Sequence, residues 1–282
     1  MNPRQTLHVA LDVLREAAAS KYLIVLFGLI LLGLVALALS LDLEVVNGAI
    51  AAGKILGGNI IGKGKSVAAV EFLAPFMQAV AYVVFFGGLL FLVVAVADIA
   101  PRMLAPGRVE LLLALPLRRS ELVVGIYIGV LFIAALASIL AIGGASLVLF
   151  VKAEFFTPAP FMGAITALMG FVCLYGVMLA VASVARSAAL SAGAAILVYI
   201  AGIATSDRAF VLSLIRNGAT RSLAGLVMGP LPRLRALADI GGDAAIHKPI
   251  DWTSALPVLG GCAAFGLFFV VAACIVVNIK DY

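Results

Sequence analysis

The sequence predicts an all-α integral membrane protein, with six transmembrane helices preceded by an amphipathic interfacial (elbow) helix. Three observations predict it. Of 282 residues, 65% are hydrophobic and only 12% are charged, and the mean hydropathy is +1.23. A soluble domain is about 45–50% apolar and about 25% charged, so no compact soluble fold of this size could hide so much apolar surface. Apolar runs long enough to cross a bilayer recur along the chain, and the first is preceded by a segment with one apolar and one charged face.

That segment, residues 3–18, reads PRQTLHVALDVLREAA. Leu7, Ala10, Leu11 and Leu14 follow the i, i+3, i+4, i+7 spacing of one helix face, while Arg4, His8, Asp12, Arg15 and Glu16 occupy the other. Such a helix lies in the membrane interface ahead of the first span; a soluble helix packed on a partner is the open alternative.

A spanning helix needs roughly 20 apolar residues to cross about 30 Å of hydrocarbon at 1.5 Å per residue. Six runs satisfy this, at about 22–41, 72–97, 122–151, 160–184, 187–204 (the shortest) and 255–278, making residues 1–282 one transmembrane domain. Ala185-Arg186-Ser187 reads as a tight turn between the fourth and fifth spans, and Trp252 as an interfacial anchor for the last. Ala36-Leu37-Ala38 loosely resembles a signal-peptidase site, but the apolar run around it is long, so the first helix is expected to be retained.

Two longer polar segments, 42–71 and 205–254, are expected as extracytoplasmic loops. The second contains amphipathic pieces at Asp207–Arg216 and Leu231–Ile240, broken by Gly229-Pro230 and Gly241-Gly242. These read as short helices resting on the outer membrane surface. The first contains GGNIIGKGKS, residues 57–66, a near match to a phosphate-binding loop. Such a loop requires G-x-x-x-x-G-K-[ST] between a strand and a helix of a soluble ATPase core. Gly57, Gly62 and Lys63 fit, but Gly64 stands where the hydroxyl belongs; the shifted frame has Asn59 for its first glycine. The stretch reads as a basic outer loop rather than an ATP site.

The net charge of +5 and pI near 9.3 reflect topology and anionic lipid in such a protein, not nucleic acid. Cys173, Cys262 and Cys274 lie in apolar runs without metal spacing, and the two histidines, His8 and His247, are far apart. The cores of the runs carry no charged side chain of the kind that marks an ion relay. Gln78 and Tyr82 in the second run are the polar side chains most suited to touching a substrate, with an interhelical hydrogen bond the alternative for Gln78. No nucleotide-binding or catalytic motif is complete, so the chain does not read as an enzyme and calls for no cofactor or metal of its own.

The most informative connection is 98–121. Residues 107–126 read GRVELLLALPLRRSELVVGI. A short helix over Arg108–Leu115 is stopped by Pro116, a basic turn follows, and Ser120-Glu121 restarts the chain as N-cap and dipole partner of the third span. Leu111, Leu112 and Leu115 form an apolar stripe rimmed by Arg108, Arg118 and Arg119, the composition of a docking surface. A loop lying on anionic lipid is the alternative. Arg102 joins these arginines in a short connection, which favours the cytoplasmic side and, with an even number of spans, places both termini there.

The stretch PGRVELLLALPLRRSELVVGIYIG resembles the segment between the second and third spans of type-2 ABC exporter permeases. In that family a Glu-x-Gly-Thr start leads to a Leu-Leu-Leu run, a small residue, x-Pro-[aliphatic]-x-Arg and a Gly-Lys pair. Gly107, Leu111, Leu112, Leu113, Ala114, Pro116, Leu117, Arg119 and Gly125 match in place. Ala105, Arg108 and Ile126 stand where the family has glutamate, threonine and lysine. The amphipathic start and six spans also resemble the family, including permeases of the nitrous-oxide-reductase maturation and drug-efflux kinds.

The resemblance implies a permease subunit of an ATP-driven exporter in a bacterial or archaeal plasma membrane, working as a dimer with a second copy or a related permease. Gly107, Arg108, Val109, Glu110, Leu111, Leu112, Leu115, Pro116, Arg118 and Arg119 would form a coupling helix that docks a separate ATPase subunit, two per complex, which binds ATP and Mg²⁺. Arg4, Leu7, Leu11, Leu14 and Arg15 would belong to the elbow helix. The charge-free interior suits a hydrophobic or lipid-like cargo, and the outer segments could meet an extracytoplasmic partner. A membrane anchor that recruits an ATPase without transport is the alternative.

Overall fold

The computed structural model describes residues 3–46, 49–55, 58–59, 67–105, 107, 118–153, 157–208, 212–213, 221, 225 and 228–279. Helices α1 (Pro3–Ala18) and α2 (Lys21–Ser40) are followed by short strands β1 (Leu41–Val46), β2 (Ala49–Ile55), β3 (Gly58–Asn59) and β4 (Val67–Ala68). Next come α3 (Ala69–Tyr82), a π-turn (Val83–Gly88), α4 (Leu89–Val96), α5 (Ile99–Met103), α6 (Arg119–Ala153), α7 (Phe161–Ala185), α8 (Ala188–Ala204), α9 (Leu234–Ala245) and α10 (Trp252–Ile279).

Among the described residues, five helical stretches are long and apolar enough to cross a membrane: Lys21–Ser40, Leu73–Met103, Arg119–Ala153, Phe161–Ala185 and Trp252–Ile279. The chain is therefore a helical, multi-pass membrane protein by length and composition. The remaining expected span, α8, has 17 residues, about 25 Å of helix. It turns back beside α7 through Arg186, which adopts the left-handed conformation (φ 50°), and Ser187, whose hydroxyl accepts from the Leu190 N–H as N-cap. The tight turn expected at Ala185-Arg186-Ser187 is present.

The 42–71 segment departs from the expected loop. β1 and β2 pair antiparallel, Leu41 opposite Ile55, with a bulge at Glu44/Val45; β3 and β4 both pair with β2. Alternation of apolar and polar residues in LDLEVV favours an extended segment once a partner strand is available. Most of GGNIIGKGKS lies outside the described residues; Gly58 and Asn59 pair with Ile55 and Lys54.

The second span is not a uniform α-helix. Its centre is a six-residue π-turn, VVFFGG. Gly87 and Gly88 have the weakest helix preference of ordinary residues, and a π-turn leaves carbonyls without their usual i+4 donors. Tyr199 of α8 answers this by donating its hydroxyl to the Phe86 carbonyl at 2.9 Å.

The core sits where α6, α7 and α10 meet, with Phe171, Tyr175, Leu122 and Ile126 fully buried. At its tightest point glycines let two backbones touch. A Cβ at Gly266 of α10 would stand 2.5 Å from the Val172 carbonyl oxygen of α7, and one at Gly176 would stand 3.0 Å from the Gly266 Cα. Small residues take this role in membranes because helix association there rests on close packing rather than on release of water.

Candidate functional site

Two regions bear on function: the end of the bundle carrying the 98–121 connection, and an apolar groove inside the membrane-spanning body.

At the first, residues 108–117 of the segment expected from the sequence to dock a partner lie outside the described residues. Its flanks are described. Before it, Ile99, Ala100, Met103 and Leu104 are buried in the core, and Asp98 pairs with Arg102 one turn on. Gly107 has φ +81°, a conformation glycine adopts without strain. After it, α6 begins at Arg119, so Ser120 lies inside the first turn and is not the N-cap expected from the sequence. Glu121 does the capping: its carboxylate accepts the Arg118 backbone N–H at 3.1 Å, the returning half of a capping box. Glu121 is 1% exposed, which ties the entrance of α6 into the core. The Arg119 guanidinium donates to the carbonyls of Val277 and Asn278 at 3.4 and 3.3 Å, completing the end of α10. The start of α6 and the end of the chain's last helix therefore share one end of the bundle.

α1 joins this end, packed on α6 by a side next to the apolar face that the sequence shows. Thr6, Val9, Ala10, Val13 and Ala17 are buried, Leu7 and Leu11 are 60% and 42% exposed, and Leu14 is partly buried. At 100° per residue these groups fall on adjacent sectors, so the helix is three-sided: packed, apolar and outward, and charged (Asp12, Arg15). The packed side meets glycines. A Cβ at Gly125 would lie 2.6 Å from Val9 Cβ, and one at Gly129 would lie 2.8 Å from Val13 Cβ. Both pairs step by four residues in the same sense, so α1 runs alongside α6 for that turn. Hydrophobic periodicity does not separate the two apolar sectors; the signal that does is the Gly-x-x-x-Gly spacing of Gly125 and Gly129.

Inside the body, α2, the α3–π–α4 helix and α6 enclose a groove of about 400 Å³. Leucines of α2, Phe76, Val80, Val84, Gly87 and Gly88 of the kinked helix, Ala137, Ala141 and Ala145 of α6, and Ala167 of α7 line it; among the described residues Ser138 is its one polar side chain. Gln78 is half-buried and outside this lining, as is Tyr82. Instead Tyr82 donates its hydroxyl to the Asp239 carboxylate of α9 at 3.0 Å, and its ring stacks toward Phe86 at a centroid distance of 6.0 Å. Its observed role is a link between helices rather than a wall of this groove.

α9 corrects one detail of the 205–254 segment: it runs unbroken through Gly241-Gly242, packed against other helices, with Leu234 and Leu237 fully buried and Ala238 nearly so. Its Gly241 abuts Gly163 and Thr166 of α7, Gly242 abuts the Tyr82 ring, and Leu234 fills the space over Gly202 of α8. The sequence signal was Gly241-Gly242, which marks a close approach here rather than a break. The approach to α9 is held by Arg208, which donates to the Gly229 and Leu231 carbonyls at 2.9 and 3.0 Å. Burial and the positive charge of Arg233 lower the Arg208 pKa from its ordinary value. Arg235 pairs with Asp207, and Lys248 with Asp243 at 2.8 Å. Asp251 caps α10, accepting the Thr253 hydroxyl at 2.7 Å and its N–H at 3.1 Å, and these bonds lower its pKa.

Among the described residues no group of three His, Cys, Asp or Glu is placed to hold a metal ion. No family model matches the chain, and no curated protein is significantly similar to it.

Proposed function

We propose that this chain is the membrane permease subunit of an ATP-driven exporter, with both termini and the 98–121 connection in the cytoplasm of a plasma membrane and α8 serving as a sixth, short span. ATP is bound and hydrolysed by a separate subunit docked on Gly107–Leu117, and two permease and two ATPase copies make the transporter. The carrying observation is the sequence PGRVELLLALPLRRSELVVGI, with its apolar stripe, Pro116 stop and basic rim. Its flanks support the reading. The segment leaves the core at Met103 and Leu104 and re-enters it at Glu121, all buried. A push on it would therefore move α6, which is 35 residues long, together with α1 through the Val9–Gly125 and Val13–Gly129 contacts. Arg119, bonded to the end of α10, brings the last helix into the same unit. The middles of the apolar runs carry no charged side chain, which suits a hydrophobic or lipid-like cargo.

The test is co-purification. An ATPase with a complete phosphate-binding loop, encoded beside this chain, should copurify with it and be lost in Leu111→Glu/Leu112→Glu; undiminished binding by that variant would refute the docking assignment. Extrusion of fluorescent lipid analogues from proteoliposomes that continues without ATP hydrolysis would refute the exporter. Retained ATPase binding with no extrusion would favour the anchor.

A further inference from the structure

We infer that Arg208 and Arg233 form a binding site for a phosphate group of net negative charge, presented in a membrane by the headgroup of an anionic phospholipid. The lipid source rests on α8 ending at a membrane surface, not on a docked ATPase. The segment 205–254 holds six Lys and Arg residues against four Asp. All four carboxylates are engaged: Asp207 accepts from Arg235, Asp239 from Tyr82, Asp243 from Lys248 and Asp251 from Thr253. Among the described residues no carboxylate bonds Arg208 or Arg233. The stretch 209–227 contains no Asp or Glu, so the segment holds no further counterion for them.

The fold holds these two cations together. Arg208 Nη2 donates to the Gly229 and Leu231 carbonyls at 2.9 and 3.0 Å, which fixes its guanidinium beside the turn that leads into Arg233 and α9. The Ser206 hydroxyl accepts the Arg235 N–H at 3.1 Å and ties the same turn to the end of α8. Arg233 is exposed and close enough for its charge to act on Arg208. Arg208 is half-buried, and its Nε–H has no acceptor. Nor does the end of α8 call for these arginines as caps. Thr205 and Ser206 already donate to the carbonyls of Ala201, Gly202 and Ile203. Adjacent guanidiniums repel, and an unmet charged donor is costlier than a neutral one. A carbonyl or hydroxyl would answer the donor but not the charge; a phosphate answers both, with the geometry that guanidinium fits best. Arg233 is also the N-cap of α9 and makes no side-chain cap bond, so the positive end of that helix adds to the same field. Arginines just beyond the end of an apolar helix stand where headgroups lie.

The experiment is native mass spectrometry of the full chain released from micelles, with phosphatidylglycerol and phosphatidylcholine supplied at equal concentration. Phosphatidylglycerol adducts should outnumber phosphatidylcholine adducts several-fold, and Arg233→Gln should bring the two to parity. Arg208→Gln should do the same, but it also frees the Gly229 and Leu231 carbonyls; if it fails to fold, Arg233→Gln, at an exposed side chain, carries the test. Lys248→Gln removes the same charge from the segment at a site already paired with Asp243, and should leave the preference in place. Thermal unfolding with inorganic phosphate separates the two sources. No lipid preference, together with a rise in Tm on adding phosphate that Arg233→Gln abolishes, would assign the site to soluble phosphate instead. Neither a lipid preference nor a phosphate shift, or an effect that survives Arg233→Gln or falls as far in Lys248→Gln, would overturn the proposal.

Discussion

Replacing Gly176 by Ala should destabilise the protein although alanine is the better helix former. The added Cβ would stand 3.0 Å from both the carbonyl carbon and Cα of Gly266, closer still to its oxygen, and none of these backbone atoms can rotate away. Ordinary C···O approach is about 3.3–3.6 Å, so α7 and α10 must part by roughly 1 Å. A gap of that size forfeits about a quarter to a half of each affected dispersion well, and overpacking of a tight core costs about 1–3 kcal/mol. Helix propensity returns up to about 1 kcal/mol, leaving a net loss of up to about 2 kcal/mol. Gly261→Ala on the same α10, where a Cβ meets nothing within 4 Å, should gain up to about 1 kcal/mol instead. Reversible unfolding in mixed micelles, followed by circular dichroism, compares them. The double variant Gly176→Ala/Gly266→Ala should cost less than the two single changes together, because helices already parted admit the second methyl more cheaply. Equal stability of Gly176→Ala and Gly261→Ala would refute the close-contact argument.

Tyr82→Phe should cost about 0.5–1.5 kcal/mol, the net worth of one intramolecular hydrogen bond, and hydrogen exchange should quicken in α9 more than in α7. Gly129→Leu should displace α1 from α6, read as new reactivity of a cysteine introduced at Val13, while Gly33→Leu leaves that position protected. Asp251 has a lowered pKa from its Thr253 bonds. Its contribution is therefore present above the unfolded carboxylate value of about 3.9 and is lost as pH falls through the lower folded value. Exchange at the first turn of α10 should quicken over that acid window, and Asp251→Asn should flatten the dependence. Cysteines at Ser66 and Arg108 should react with impermeant reagents from opposite sides of the membrane; labelling from the same side would break the proposed topology.

The spans were legible because a bilayer demands continuous apolar sequence whatever the fold. The runs at about 122–151 and 160–184 correspond to α6 and α7 with ends shifted by no more than three residues. Less legible was anything depending on which apolar group faces which neighbour. Leu7 and Leu11 look as suited to burial as Val9 and Val13 until Gly125 and Gly129 provide room for the valines. Local pattern also misread Ser120, a good cap by type, because the chain enters α6 before it and Glu121 supplies the acceptor. In 205–254 the amphipathic periodicity of Leu231–Ile240 announced a helix but not its neighbours. Glycines on α7 and α8 admit it against those helices.

By itself the sequence determined that this protein is helical, spans a membrane and carries a basic, Pro-stopped connection, because composition and run length answer to the solvent rather than to partners. Tertiary structure alone decided the π-turn answered by Tyr199, the packing of α9, the inward face of α1 and the groove. Each depends on whether a side chain meets a glycine, a carbonyl or open space on another helix. Such contacts join residues such as Phe86 and Tyr199, 113 positions apart, and no local periodicity encodes them.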